Sequence, residues 1–138
     1  MNKYEVFGAH PEGQFYALGN AIDFISGIGV DRVQARYFHL TSRWLTRAQR
    51  LPRFRAAVTL NPDHCAGLVA WELTGIAPDA VRQVLSANRV RVGRTDTYAG
   101  FFGIREDAPR FLFIANVGPF SSTADVDRLA DTIDTAGA

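Results

Sequence analysis

The stretch that decides the fold is RFLFIANVGPFSSTADVDRLADTI, residues 110–133. Residues 110–116 are mostly apolar, and a short apolar run bounded by turn residues predicts a buried strand. The Gly118-Pro119 pair predicts a turn, because glycine and proline are the strongest local breaks in regular structure. The remainder, from Ser122 onward, predicts a helix. A strand, a tight turn and a helix in this order are typical of the end of a domain that mixes helices and strands.

The start of this last predicted helix carries a capping signal. Ser122 and Asp125 have the spacing of a capping box, in which a hydroxyl at the N-cap and a carboxylate three residues later each accept from a backbone N–H. Apolar residues then recur at three- and four-residue spacing, which is the period of one helix face. We expect this face to point to the core, and it consists of Val126, Leu129 and Ile133.

Two long helices are predicted before residue 52. The first ends near Gly27 and Gly29, since glycine is the residue that most often ends a helix. The second begins near Asp31, whose carboxylate favours the positive end of the helix dipole, and it ends before Pro52. The apolar stripes are Phe15, Leu18, Ile22 and Ile25 in the first helix and Val30, Val33, Tyr37, Leu40, Trp44, Ala48 and Leu51 in the second.

The middle of the chain alternates between strand and helix signals. Residues 56–60 and 67–73 predict two strands, and the Asn-Pro-Asp-His segment at 61–64 predicts the turn between them. A helix opens at Pro78, where the missing backbone N–H costs nothing. Residues 90–92 predict a further short strand. The element order α-α-β-β-α-β-β-α predicts an α+β fold, with a small mixed or mainly antiparallel sheet and helices packed on one face.

Composition narrows the class of protein. A chain of 138 residues with 47% hydrophobic and 21% charged residues predicts one globular domain, residues 1–138. The net charge of +1 argues against a general nucleic-acid binder. Cys65 is the only cysteine, so no disulfide forms within the chain, and no motif has the spacing of a metal site. No apolar stretch is long enough for a membrane span, and we expect a cytoplasmic protein.

Residues 93–109 carry the strongest candidate chemistry. Arg94, Asp96 and Tyr98 alternate, so on an extended segment a cation, a carboxylate and a phenol would share one face and could bind and polarise a substrate. His10 could act as a general acid or base, since imidazole titrates in the useful range. The alternatives are a solvent-facing loop for the first three residues and a surface turn for the histidine.

Other reactive-looking residues have simpler interpretations. His39 lies one step from the apolar stripe of the second helix and is expected at the boundary of the core. His64 and Cys65 are neighbours whose side chains point apart on an extended chain, so a structural cysteine is the simpler reading. Five arginines, which could contact phosphates, follow one side of the second helix, but a solvated helix face or a dimer interface also explains them. These are Arg32, Arg36, Arg43, Arg47 and Arg50.

Several segments together resemble the small C-terminal domain of class V aminotransferases, which depend on pyridoxal 5′-phosphate (PLP). The resemblance is to the isopenicillin-N-epimerase-like and cysteine-desulfurase-like members. Residues 4–55, with the helices ALGNAIDFISGIG and VDRVQAR, are similar to the start of that domain. Residues 110–129 are similar to its closing strand, turn and helix; DVDRL at 125–129 matches, and Phe120 stands where the family has tyrosine.

The departures from the family pattern concern its cofactor and substrate contacts. The PLP-binding lysine of the family lies in a large domain, and Lys3 precedes the matched region and cannot replace it. The threonine that helps to hold the cofactor phosphate is Ala9 here. The arginine that clamps a substrate carboxylate falls at Ile114, and the nearby serine is Asn116. We therefore expect this chain alone to bind no cofactor.

Two functions follow from the resemblance and its departures. The first is a repurposed, PLP-independent enzyme, a homodimer that acts on a small metabolite in a biosynthetic pathway by acid–base chemistry such as cyclisation, isomerisation or elimination. Its catalytic residues would be Tyr98, Asp96 and His10, and its substrate-binding residues would be Arg94, Asn116 and Ile114. The second is a non-catalytic subunit or binding module that pairs with a separate PLP-binding chain.

Overall fold

A computed structural model of the protein describes residues 12–94 and 112–138. The element order within these ranges is the predicted one, four helices and four strands. One turn of 3₁₀ helix, Pro62–His64, is added between the first two strands. The elements are α1 (Glu12–Ile28), α2 (Val30–Ala48), β1 (Phe54–Ala56), β2 (Leu68–Leu73), α3 (Pro78–Ala87), β3 (Gly93–Arg94), β4 (Phe113–Asn116) and α4 (Thr123–Gly137).

The chain divides into two compact units, Met1–Val33 and Gln34–Ala138. The described part of the first unit is α1 and the first turn of α2. Gly29 ends α1 as predicted, since it adopts a φ of 98°, and its N–H donates to the carbonyl of Ile25 at 3.0 Å. Left-handed backbone of this kind is accessible to glycine without a steric penalty, so the chain can reverse there before α2 starts.

The second unit contains a four-stranded sheet in the order β1-β2-β4-β3, with every neighbouring pair antiparallel. This confirms the α+β prediction. β2 is an inner strand of the sheet, because it pairs with β1 on one side and with β4 on the other. Along β2, Val69, Trp71 and Leu73 are buried, whereas Leu68 is exposed. The alternation predicted from the sequence therefore separates a core face of the sheet from an outer face.

Aromatic rings hold the core face together. Trp71 of β2 stacks on Phe113 of β4 with ring centroids 4.9 Å apart, and on Phe54 of β1 at 5.8 Å. Trp44 of α2 meets Phe54 edge-on at 6.3 Å. Offset-stacked and edge-on arrangements are the ones that aromatic quadrupoles favour. The large aliphatic residues that the helices add to this core come from α2, α3 and α4: Leu40, Leu45, Val81, Leu85, Val126, Leu129 and Ile133.

Two predicted strands lie elsewhere. The strand predicted at 56–60 is wrong, because the chain pairs earlier, at Phe54–Ala56, where the Phe54 ring can enter the core opposite Leu73. The strand predicted at 90–92 is also wrong. The N–H of Val90 donates to the carbonyl of Leu85 at 2.9 Å, which closes the end of α3, and pairing begins only at Gly93. Part of the predicted strand 110–116, residues 110–111, lies outside the described residues.

Gly67 is the tightest backbone position at the start of β2. Its φ is 75°, and its carbonyl accepts from the N–H of Val117 at 2.8 Å, which joins the start of β2 to the end of β4. A Cβ placed there would stand 2.2 Å from the carbonyl oxygen of Val117 and 2.6 Å from the ring of Tyr37. No side chain fits this position without moving the backbone at Val117 and the ring of Tyr37.

Replacing Gly67 with alanine is expected to lower the free energy of unfolding by about 3 kcal/mol, because left-handed strain and overpacking add. The matched control is Gly19→Ala in α1, where nothing lies within 4 Å of an added Cβ. That control should raise stability by about 0.5–1 kcal/mol, since alanine favours a helix interior. Chemical denaturation measures both; equal effects in the two variants would contradict the structural role of Gly67.

Candidate functional site

The outer face of the sheet carries two of the predicted substrate-binding residues. Ile114 and Asn116 alternate with Phe113 and Ala115, whose side chains are buried in the core, so both project to the outer face. The register places Ile114 beside Ala70 and Asn116 beside Leu68. Ile114 is half-buried and Asn116 is exposed. Around β4 this face therefore offers an aliphatic patch and one neutral amide, which can both donate and accept hydrogen bonds. Farther along the same face, Glu72 of β2 lies opposite Arg55 of β1.

Arg94, the third predicted substrate-binding residue, lies on the opposite side of the sheet. It pairs in register with Phe113, and residues directly opposite each other in an antiparallel pair point to the same face. Its side chain is therefore on the core side of the edge strand β3 and is half-buried. The structure brings Ile114 and Asn116 together and separates Arg94 from them.

The three predicted catalytic residues cannot be placed. His10, Asp96 and Tyr98 lie outside the described residues, as does Ala9. Their roles stay predictions. His39 is exposed on α2, and Cys65 is a free, half-buried thiol after the 3₁₀ turn. Within residues 12–94 and 112–138, no group of three histidine, cysteine or acidic side chains could hold a metal ion.

The arginine stripe of α2 has partners on α4. Arg43 binds Asp127 through two parallel hydrogen bonds, Nε to Oδ1 at 2.6 Å and Nη2 to Oδ2 at 2.8 Å. Arg47 binds Asp131 at 2.5 Å and also Asp134. Two-pronged contacts of this kind fix geometry as well as charge, because the guanidinium fork matches the carboxylate. Arg43 and Arg47 therefore link α2 to α4 within this chain.

A third arginine of the stripe joins α2 to the turn before α4. Nη2 of Arg36 donates to the carbonyl oxygen of Ser121 at 3.0 Å. That turn leads directly into the capping box, which is formed as predicted. Asp125 Oδ2 accepts from the backbone N–H of Ser122 at 2.8 Å, and Ser122 Oγ accepts from the N–H of Asp125 at 3.2 Å. The start of α4 is thus held by its own cap and by α2.

Some of these contacts shift pKa values, namely those of Asp125, Asp127, Arg43 and Arg47. The hydrogen bond from Arg43 holds the pKa of Asp127 below its ordinary value, and the charge of Arg43 adds to this effect. The hydrogen bonds from the backbone and the hydroxyl of Ser122 lower the pKa of Asp125 in the same direction. The pKa of Arg47 is raised, first by its hydrogen bond to Asp131 and next by that to Asp134. The Arg43–Asp127 pair therefore stays ionised at neutral pH.

Helix α1 presents a different kind of surface. Three residues of its predicted apolar stripe are exposed, Phe15 at 63%, Leu18 at 59% and Ile22 at 56%. Tyr16 and Phe24 are also exposed, and they lie away from that stripe around the helix. A helix that is apolar on several sides is typical of a buried element rather than of a water-facing one. Within the described residues, no helix has the length and apolarity to cross a membrane.

The fold and these sites define an antiparallel α+β small domain with a packed helical side and an open outer sheet face, and the comparisons agree. The sequence model of the family described as Aminotransferase class-V matches residues 2–129. The chain therefore belongs to the class V aminotransferase family.

Two relatives show how much of a longer protein this chain matches. The sequence is 27% identical over 133 residues to a "Probable cysteine desulfurase" of Streptomyces coelicolor, which covers 96% of this chain and 31% of that protein. The fold is similar to that of the cysteine desulfurase CsdA from Escherichia coli in its S-sulfonic acid form. The TM-score is 0.67 and the identity 15%, over 84% of this chain and 28% of that one. The chain thus spans about a third of the length of these relatives.

The Arg43–Asp127 pair predicts how stability depends on pH. Because the pKa of Asp127 is depressed in the folded protein, its contribution is fully present above about pH 4, the ordinary carboxyl range, and is lost as the pH falls through the folded value. Asp127→Asn is therefore expected to lower the melting temperature at pH 7. The difference from the wild type should shrink toward pH 3.

Thermal melts from pH 7 to pH 3 measure this effect. Asp23→Asn, a change on α1 at a carboxylate with no ion pair among the described residues, is the matched control and should lower the melting temperature less at pH 7. A constant difference between Asp127→Asn and the wild type at every pH would contradict the ionic role of Asp127.

Proposed function

We propose that this chain serves as the small domain of a class V aminotransferase-type assembly, and that it docks through the apolar surface of α1 onto a PLP-binding large domain. The observation that carries the proposal is the exposure of Phe15, Leu18 and Ile22 on a helix that is apolar on several sides. Each such side chain gains about 1.5–3 kcal/mol when it is fully removed from water, so the surface favours a protein partner.

The choice of partner rests on what the relatives contain. This chain corresponds to 31% of the Streptomyces coelicolor protein and 28% of the Escherichia coli enzyme, so about two thirds of each lies beyond the matched part. Helix α1 carries only two charged residues, Glu12 and Asp23. Recognition by α1 would therefore depend on apolar shape rather than on charge, which is typical of contacts between parts of one stable assembly.

The residues of this chain do not fit the role of cofactor holder. The described ranges contain no lysine, and the single lysine of the sequence is Lys3. At the position of the family's carboxylate-binding arginine stands Ile114, an aliphatic side chain that cannot bind a carboxylate ion. PLP supplies an electron sink for chemistry at an amino carbon, and in this proposal the large domain holds it.

The outer face of the sheet would then form one wall of the ligand pocket in the assembly. Asn116 can hold a neutral polar group of the ligand through its amide, and Ile114 can exclude water from an apolar part beside it. The ligand group recognised by this wall is therefore expected to be uncharged, in contrast to the carboxylate that the family's arginine binds.

Co-expression with class V large-domain polypeptides from the source organism tests the proposal. The expected result is a complex of equal stoichiometry that carries the visible absorbance of protein-bound PLP. Leu18→Glu and Ile22→Glu on α1 should each weaken the complex at least about tenfold, because a buried charge replaces an apolar contact. Binding is measured by sedimentation or calorimetry on the purified components.

The matched control is Thr46→Glu, which adds the same charge at an exposed position of α2 and should leave the complex intact. Complexes that tolerate both α1 substitutions would show that α1 is not the docking surface. A dimer of this chain alone that Leu18→Glu dissociates would instead identify a second copy as the occupant, and the large-domain proposal would be wrong.

A second candidate function, a PLP-independent enzyme, is favoured by one observation. The half-buried Ile114 beside Asn116 closes the position of the family's charged clamp, as expected for a site that has taken a different ligand. Acid–base chemistry at Tyr98, Asp96 and His10 would then act on a small metabolite. Each alanine substitution at these three residues is expected to reduce turnover by about 100-fold or more. Turnover that survives all three substitutions would exclude this mechanism.

A further inference from the structure

A cleft of about 170 Å³ lies in the second unit, and its lining includes Ala115 of the core face and Asn116 of the outer face of the sheet. It is bounded by the segment that leaves α3, by the end of β4 and by the first turns of α4. Its apolar lining includes Val90, Val117 and Leu129. The charged lining consists of three arginines and one acid, Arg89, Arg91, Arg128 and Asp125.

The charge of this cleft is unbalanced. Within residues 12–94 and 112–138, no carboxylate forms an ion pair with Arg89, Arg91 or Arg128. Arg128 interacts electrostatically with Asp125 without forming such a pair. All three differ from Arg43 and Arg47, which form ion pairs with aspartates of α4. The single acid, Asp125, already accepts the N–H and the hydroxyl of Ser122 in the capping box. Three guanidinium groups against one engaged carboxylate leave a net positive charge around a space large enough for a small molecule.

The backbone conformation of Arg89 also sets this part of the cleft apart. This arginine has a φ of 57° and is the one non-glycine residue with positive φ among the described residues. It occupies the position after the end of α3 that most often carries glycine. Its N–H donates to the carbonyl of Ser86, and the next N–H, of Val90, donates to Leu85. Arginine in this left-handed conformation is strained, so backbone stability alone does not favour it.

We propose that this cleft is a binding site for a small organic anion, a carboxylate or phosphate on a partly apolar body, held by the guanidinium groups of Arg89, Arg91 and Arg128. Arginine suits both groups because its planar fork binds two oxygens of a carboxylate or phosphate at once. The valines and Leu129 provide the contact for the apolar body. The site lies wholly in the second unit, so it does not depend on the docking of α1.

The proposal explains why a strained position keeps a long cationic side chain. Glycine at 89 would relieve the backbone but would remove one of the three cations from the cleft. Stability and ligand binding therefore oppose each other at this residue. A merely structural surface arginine would gain stability on this change without any loss of ligand binding, so a variant that shows both effects is expected only at a ligand site.

Nuclear magnetic resonance of the purified full chain tests the site, with inorganic phosphate and benzoate as the two probes and sodium chloride at matched ionic strength as the salt control. We expect saturable shifts of the backbone signals at 89–92 and of the Nε–H signals of the three arginines with at least one probe. Arg91→Gln should weaken binding about tenfold, because one charge-assisted contact is lost. Arg82→Gln, on an exposed α3 arginine paired with Asp79 outside the cleft, is the matched control and should leave the affinity unchanged.

The variant Arg89→Gly tests the melting temperature and the affinity for the probe in one protein. It is expected to raise the melting temperature by about 2–4 °C, since left-handed strain is relieved, and to weaken the probe about tenfold like Arg91→Gln. If sodium chloride reproduced the shifts, or if Arg82→Gln and Arg91→Gln lost the same affinity for the probe, the effect would come from general surface charge. Either result would overturn the proposal. Binding in Arg89→Gly and Arg91→Gln that equals the wild type would overturn it as well.

Discussion

Trp71 is stacked between Phe54 and Phe113, and most of the second unit depends on this contact. The three rings come from three strands, so their stacking holds β1, β2 and β4 in one register. Trp44 meets the same group edge-on and attaches α2 to it. Aromatic side chains bury large areas with few rotatable bonds, so a small sheet can be ordered by a few of them.

The arginines of the second unit fall into two groups that their partners distinguish. Arg43 and Arg47 bind aspartates of α4, and Arg36 binds a carbonyl in the turn before it. These contacts align two helices at the surface, where partly exposed ion pairs add geometric specificity more than stability. The arginines around the end of α3 lack such compensation among the described residues. A row of arginines along one face of a helix therefore does not by itself indicate a protein that binds polyanions.

Much of the fold could be predicted from short-range patterns in the sequence, whereas the candidate binding sites could be predicted only in part. The order of elements, the capping box of Ser122 and the buried alternation of β2 follow from short-range rules of period and spacing. The same alternation places Ile114 and Asn116 on one face. The face of Arg94 depends on its pairing with Phe113 across β3 and β4. The cleft arginines also come from separate segments. The only local signal was an Asn-Arg pair after α3, where glycine is usual.

The sequence by itself determined the class of element at nearly every described position, its apolar faces and its family resemblance. These depend on residues that are close in the chain. Tertiary structure decided which segment around residues 54–60 became the strand, because the Phe54 ring gains more from the core than Val58 gains from extended pairing. It also decided that Arg43 and Arg47 of the second helix bind aspartates of α4. Such outcomes depend on which surfaces meet, and spacing along the chain carries no information about that.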